Sequence, residues 1–556
     1  MTAEIIYTNG DIVTVTGPEA EALAVGGGKI LAVGSRDEVM KLKGPDTEVV
    51  DLRGHTLCPG FVDGHSHFMN APQIVTWANV SPAPVGPVHG VADIVAALKA
   101  HVEKHHPAKG EWIIGYGYDG NELSERRELN VDDLDPNFPD NPVLLIHVSN
   151  HGAVLNTAAL RHFNITADTP TPPSGIILRK PCSQEPAGLI METAFLPVFA
   201  KLPKPNESEL LDRFEDAQQT YASCGVTTAV EGMTVSGDLK ILQKAAEQGR
   251  LYLDVVSYVM ILELEEILND NPPETFGKYH NRLKLGGAKA MSDGSPQGRT
   301  AFFTQPYLTG GPNGQENWRG EPTLPPETFK AMLKLAYDNG LHVHCHSNGD
   351  AAIDMFLMAH EYAAGDDPGA DRRSTVIHSQ FVRKDQLEKY VRYKIIPSFY
   401  TEHTFLFADA HMRNLGPERT HFLSPMKTAL EMGLHCTNHT DYSVAPLNQL
   451  WTMWSAVNRL SRSGEVIGPD ERVTPLQALR AITIEGAYQH GEEATKGSLE
   501  VGKLADLVIL SANPLKVEPN AIKDIQVLQT IKEGRSIFRA EALTAARARS
   551  AAGTPP

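Results

Sequence analysis

Residues Leu57 to His67 read LCPGFVDGHSH. An apolar run broken by Pro59-Gly60 leads into Asp63, Gly64, His65, Ser66 and His67. In an extended chain, residues two apart point to the same side, so His65 and His67 present both imidazoles to one point. Gly64 removes side-chain bulk directly before that pair. Two neutral imidazoles converging at a strand end suit zinc or another borderline metal. A lone His-x-His is also common at surface and packing positions, so the remaining chain has to decide.

Outward from this stretch the chain repeats one pattern, an apolar strand followed by a helix. Leu57–Val62 reads as the first strand. Thr227–Glu231, Tyr252–Met260, Leu283–Met291, His342–His346, Thr375–His378, Ile395–Tyr400 and His435–Asp441 follow. Helical patterns separate them, among them Asn206–Cys224, with Asn206 as N-cap and Gly225 as stop, then Asp238–Gln248, Glu327–Asn339, Asp350–Ala364 and Pro425–Glu431. Eight strands alternating with helices predict an α/β fold, a (β/α)8 TIM barrel over residues 57–490. About 250 residues is typical for such a barrel, so residues 80–200 are read as a large insertion or cap after the first strand. It has strand-like pieces at Trp112–Tyr118 and Val143–Val148.

The two chain ends are rich in short strands. Ile5-Ile6-Tyr7 and Ile12-Val13-Thr14-Val15 flank Asn9-Gly10, a hairpin signal. Ala505–Leu510, Val527–Ile531 and Ser536–Phe538 supply further strands. Residues 1–56 and 491–540 are therefore expected to form one small composite β-sandwich. The Ala- and Arg-rich segment 541–556 reads as a disordered tail.

A length of 556 residues implies two or more folding units. Hydrophobic content of 41% and charged content of 21% fit a soluble globular protein. The net charge of −18 argues against nucleic-acid or anionic-membrane partners, which select basic surfaces. Cys58, Cys182, Cys224, Cys345 and Cys436 form no Cys-x-x-Cys pair and no disulfide framework. No secretory signal is visible at the N-terminus, and the apolar window Val255–Ile267 is interrupted by three glutamates. The expected setting is cytoplasmic and the expected partner a small-molecule substrate, with a homodimer allowed.

In a TIM barrel, catalytic groups stand at the C-terminal strand ends. Those ends carry His65 and His67 on the first strand and Lys289 on the fourth. The fifth ends in His346, the sixth in His378 and the eighth in Asp441. Each has a structural alternative alone: His378 could satisfy a backbone carbonyl, Asp441 could cap a helix, and Lys289 could be a salt-bridged barrel lysine. Six such groups at one mouth point to a metal site.

PGFVDGHSH, GAKAMSDGS (287–295), HCHSNGDAA (344–352), VIHSQF (376–381) and NHTDYSVAPLNQL (438–450), with the closing KGSLEVGKLADLVIL (496–510), resemble the metal-dependent amidohydrolase superfamily. The resemblance covers nearly the whole chain and is nearest to the branch containing N-substituted formamide deformylases. It implies one or two divalent metal ions, zinc foremost. His65 and His67 would bind one ion, His346 and His378 a second, and Asp441 would complete the site. Lys289 would bridge as a CO2-derived carbamate. A lysine ammonium has no acceptor, but desolvation lowers its pKa and frees the amine for that reaction.

The resemblance also sets His151 close to the substrate. Arg299, which follows the Lys289 segment, and His403, which follows the seventh strand, could each polarise a substrate carbonyl. Tyr118 could line the pocket. His439, two residues before Asp441, could steer that aspartate or touch substrate. His342 and His344 share the pleat side of His346 and are read as packing or hydrogen-bonding residues within the barrel.

The expected reaction is hydrolysis of a non-peptide carbon–nitrogen bond, an N-substituted formamide among the candidates, by metal-activated hydroxide with Asp441 as proton shuttle. Two rival readings stay open. One is a mononuclear-metal deaminase of a cyclic amidine, against which Lys289 speaks; the other is a non-catalytic regulator that kept the barrel.

Overall fold

A computed structural model describes residues 2–540, except 84, 149–151, 173–174, 203–204 and 312–314. The described chain divides into two compact units. The larger comprises 1–69, 214–443 and the part from 447 onward; the smaller comprises 70–213 with 444–446.

The larger unit contains a nine-stranded sheet in which eight strands run parallel and the short Tyr279–His280 is antiparallel. The parallel strands are β1 (Phe61–Val62), β2 (Val226–Thr234), β3 (Asp254–Met260), β4 (Leu283–Met291), β5 (His342–Ser347), β6 (Thr375–His378), β7 (Ile396–Phe399) and β8 (Thr437–Asn438). Each pairs in parallel with the next in sequence. The longest strands are buried on both faces; β2 and β4 are covered at almost every position. This is what parallel strands wrapped by helices require, and it explains their continuous apolar runs. Backbone hydrogen bonds from Asp441 N to His65 O (3.1 Å) and from His67 N to Tyr442 O (2.6 Å) join the ends of the first and eighth strands. The fold is a TIM-like barrel.

Three expectations about strands are corrected. Leu57–Val62 is not one strand: Thr56–Pro59 lies in a different sheet. The change falls at Gly60–Phe61, where Gly60 N donates to Asp506 O and Phe61 N to Gly225 O. Pro59, lacking an N–H, marks the switch. His435–Asp441 contributes only Thr437–Asn438, because its ladder is confined to β7. Asn9-Gly10 makes no hairpin either: Ala3–Ile12 is one strand with a register irregularity between Thr8 and Ile12. Asn9, with φ of 61°, bulges the strand where its parallel partner changes from Lys43–Asp51 to Thr56–Pro59.

Strands from both chain ends share one eight-stranded sheet. Its order is Arg535–Arg539, Val527–Lys532, Leu507–Leu510, Thr56–Pro59, Ala3–Ile12, Ala20–Gly26 and Lys29–Gly34, with Lys43–Asp51 also on Ala3–Ile12. Leu23, Leu57, Leu507 and Ile531 form one of its cores, and Ile6, Ala24 and Val39 another.

The smaller unit spans a wider stretch than 80–200 and has a sheet of six strands. Alternate residues of that sheet serve two cores: Ile113, Val143 and Leu145 in one, Ile114, Leu144 and Ile146 in the other. Among the described residues, no helix is long and apolar enough to cross a membrane.

Candidate metal centre

The C-terminal strand ends bring the expected ligands into one cluster within the larger unit. His65 and His67, just past β1, and Asp441, three residues past β8, place ligand atoms within 4.8 Å of one another. Asp441 Oδ1 lies 3.5 Å from His65 Nε2 and 3.4 Å from His67 Nε2. That oxygen is buried and accepts no hydrogen bond of normal geometry. A carboxylate oxygen facing two imidazole nitrogens at this spacing fits three donors around one divalent cation.

Lys289 Nζ, at the end of β4, stands 3.2 Å from His65 Nε2. His346 on β5 and His378 on β6 approach through Nδ1 and Nε2 at 3.1 Å. The His65 and His378 rings lie 5.8 Å apart, linking the two halves. His378 and Asp441 have left-handed backbones, with φ of 72° and 52°. Such conformations cost a non-glycine residue about 1–3 kcal/mol and cluster at functional sites.

The electrostatics leave most of these rings neutral. Burial, aided by Lys289, holds His65 well below the usual imidazole range. Burial likewise takes His346 to about 4 and lowers His378 strongly, so lone pairs are available at neutral pH. Burial also opposes the charged form of His67, but Asp441 and Glu231 outweigh it and raise that ring to about 9. A metal ion bound by His67 would have to displace that proton. Burial lowers Lys289 to about 8, leaving part of it as neutral amine near pH 7. Asp441 stays below its ordinary value despite burial because His67 faces it.

Sequence reasoning missed several supporting residues. Glu231, near the end of β2, accepts from Met69 N (2.7 Å) and Met233 N (3.0 Å), and its Oε1 lies 3.8 Å from His67 Nδ1. Asp293, two residues past β4, accepts from Asn348, Gly349 and Phe302 N at 2.8–2.9 Å and lies 3.6 Å from His346 Nε2. Glu231 closes the strand expected at Thr227–Glu231 and Asp293 lies two residues past β4, so the rule that named Lys289 could have named both. Gly232 matters more than Gly64. A Cβ on Gly232 would fall 2.1 Å from His65 Cε1, whereas one on Gly64 would meet nothing nearer than 3.4 Å.

The other expected contacts divide. Both ring nitrogens of His439 are engaged, with His378 at 3.0 Å and Ser398 Oγ at 2.9 Å, so it offers none to a substrate. His403 packs against Tyr400 and lies 3.3 Å from His411 Nε2 through its Nδ1. Arg299 reaches the carbonyls of Thr309 and Gly310, 3.4 Å each, and bonds to none of the clustered ligands. Tyr118 is a core residue of the smaller unit: its hydroxyl donates to Glu128 (2.6 Å) and accepts from Leu129 N (2.8 Å). His151 lies outside the described residues.

The model of the amidohydrolase family matches residues 48–538, and the chain belongs to that family. The protein LONG AFTER FAR-RED 3 of Arabidopsis thaliana is 30% identical over 92% of this chain and 88% of its own. The N-substituted formamide deformylase of Arthrobacter pascens is 25% identical over 96% of this chain and 97% of its own. Among solved structures, an uncharacterized metal-dependent hydrolase from Pyrococcus furiosus superposes with a TM-score of 0.71 at 25% identity, covering 92% of this chain and 100% of that one.

Proposed function

We propose that this protein is a metal-dependent hydrolase that cleaves a non-peptide carbon–nitrogen bond, with N-substituted formamides as the first substrate class to test. The observation that carries this reading is the convergence of His65, His67 and Asp441 from the first and last barrel strands. The formamide class comes from likeness to the Arthrobacter pascens deformylase.

His65, His67 and Asp441 would hold one divalent ion, zinc by their donor set, and His346 with His378 a second, with Lys289 as the bridging carbamate. Bound there, such an ion supplies Lewis acidity toward a carbonyl and lowers the pKa of a water toward neutrality. Asp441, held ionised, accepts a proton from the attacking water as its oxygen bonds to the acyl carbon. The carbon–nitrogen bond then breaks, and Asp441 returns the proton to the departing nitrogen. Glu231 braces the segment bearing His67 through Met69 N, and Asp293 ties the segments after β4 and β5 together.

The test is to reconstitute the protein with zinc and assay a panel of N-formyl, N-acetyl and N-acyl-amino-acid amides for free amine. Release of amine and acid in equal amounts is expected, and activity should fall on chelation. Ammonia released from a cyclic amidine, with every amide left intact, would refute the assignment.

A further inference from the structure

His439 is fully buried on the segment leaving β8, two residues before Asp441. Its Nε2 lies 3.0 Å from His378 Nδ1, and its Nδ1 lies 2.9 Å from Ser398 Oγ on β7. Its ring stacks on Tyr400, with centroids 5.3 Å apart and an angle of 30°. We infer that His439 is a positioning residue that fixes the tautomer and ring plane of His378, so that His378 turns a bare Nε2 toward His346 Nδ1. The inference rests on the reading of His378 as a metal ligand.

A neutral imidazole has one N–H and one lone pair, so a bond between two imidazoles needs one of each. His378 Nε2 lies 3.1 Å from His346 Nδ1, close to the ~3.3 Å between two nitrogens on one tetrahedral zinc. If both face a cation, the His378 proton must sit on Nδ1, where it donates to His439 Nε2. The His439 proton then sits on Nδ1 and donates to Ser398 Oγ, which accepts. Each imidazole N–H in that line has its acceptor. In the reverse direction Ser398 donates to His439, His439 to His378, and His378 Nε2–H to His346, leaving no lone pair for a metal. The line can therefore run one way when loaded and the other when empty, with the Tyr400 stack holding the His439 ring in plane for both.

The test is zinc affinity of the full-length protein by chelator competition, with melting temperature of the metal-free form recorded alongside. His439→Leu removes the acceptor for His378 Nδ1–H and should weaken zinc binding ~10–100-fold, the usual cost of losing a partner behind a metal-bound histidine. His439→Gln offers an amide oxygen near the position of Nε2 and should stay within about threefold of the parent by the same reasoning. Ser398→Ala should bind zinc more weakly than the parent and more tightly than His439→Leu. Parent affinity in His439→Leu would overturn the inference, as would equal damage from Leu and Gln. Should His439→Leu fail to fold, parent affinity in Ser398→Ala would overturn it. His378→Ala separates the two layers. If that variant holds zinc like the parent, the ligand reading itself fails; if it loses zinc while His439→Leu does not, only the positioning role fails.

Discussion

Replacing Gly232 by alanine tests the proposed metal centre from behind His65, the most buried of its proposed ligands. The added Cβ would lie 2.1 Å from His65 Cε1, 2.4 Å from His65 Nδ1 and 2.9 Å from Ser66 O. Carbon pairs rest at about 3.5–4.0 Å, so the ring would have to retreat by roughly 1.4 Å. Gly232 has little room to yield, because its N–H donates to Ser66 O at 2.8 Å. The ring also has neighbours ahead, with Lys289 Nζ at 3.2 Å and Asp441 Oδ1 at 3.5 Å. Misplacement by about 1 Å can cost ~10²-fold in rate, and overpacking costs about 1–3 kcal/mol of stability. Gly232→Ala should therefore fall ~10²-fold in kcat/KM and retain less metal after dialysis, while still folding cooperatively. Gly64→Ala is the control: its Cβ would meet only ordinary contacts at 3.4 Å, from Asn438 O, Ser398 Oγ and Thr437 Oγ1. The assay is metal analysis, calorimetric melting and amide hydrolysis on one preparation of each variant. Parent-like metal content and rate in Gly232→Ala would refute the placement of the His65 ring. Equal damage in both variants would show that the loop simply rejects any added methyl.

Three further outcomes are expected. Asp441→Asn keeps the shape but cannot accept a proton, so turnover should fall ~10²–10⁴-fold while affinity for an inert substrate analogue stays near the parent; a variant that only melts earlier, with parent turnover per folded molecule, would remove the shuttle. Lys289→Ala should lose most activity and part of its metal, and a short carboxylic acid in the medium should restore some of both; parent behaviour would exclude a carboxylated lysine. Asp254 binds Lys496 and Lys532 at 2.6 and 2.7 Å and Arg282 at 3.0 Å, so Asp254→Asn should cost about 3–5 kcal/mol, read by chemical denaturation. Burial alone would raise Asp254 and Glu492, but Lys496 with Lys532 or Lys284 outweighs it and lowers both, Glu492 to about 2. Depressed carboxylates stabilise the fold above their unfolded pKa of about 4 and lose that contribution as pH falls through the folded value. Stability of the parent should therefore drop between about pH 4.5 and 2, and a flat profile would contradict the ion cluster.

Much of the centre was legible because strand periodicity states which side a residue faces. His65, His67 and Asp441 come within 4.8 Å of one another, Lys289 reaches His65, and His346 meets His378. Periodicity does not state where a strand changes partners, and there the reading failed. Pro59 ends one sheet and Phe61 opens another within a single apolar run. Asn9-Gly10 has the composition of a hairpin turn, yet the strand continues through a bulge because two different segments pair along it in succession. The left-handed backbones of His378 and Asp441, and the clearance that Gly232 gives to His65, are tertiary facts with no local signal. The direction of His439 was hidden for the same reason: its position two residues from Asp441 shows its strand, while its partners lie on β6 and β7.

At the barrel seam, His65 and His67 past the first strand face Asp441 past the last. β1 and β8 are two residues each, too short to build a ladder between them. Part of the hydrogen-bonding capacity of the first strand goes elsewhere: Val62 N donates to Ile482 O, Gly64 O accepts from Gln489 Nε2 (2.6 Å), and Asp63 O lies 2.8 Å from His490 Nε2. Across the seam stand two backbone hydrogen bonds, the His65–His439 ring contact at 5.4 Å, and the facing side chains of His65, His67 and Asp441. A cation shared by those three side chains would span the least bonded joint of the barrel. It could bind only after the whole chain from residue 61 to residue 441 had closed, since neither bank offers the full donor set. An ion that binds the folded state alone stabilises it by RT ln(1 + [M]/Kd), about 4 kcal/mol at a thousandfold excess over Kd. On the proposed ligand set, closing the seam and assembling that three-residue donor cluster would be one event.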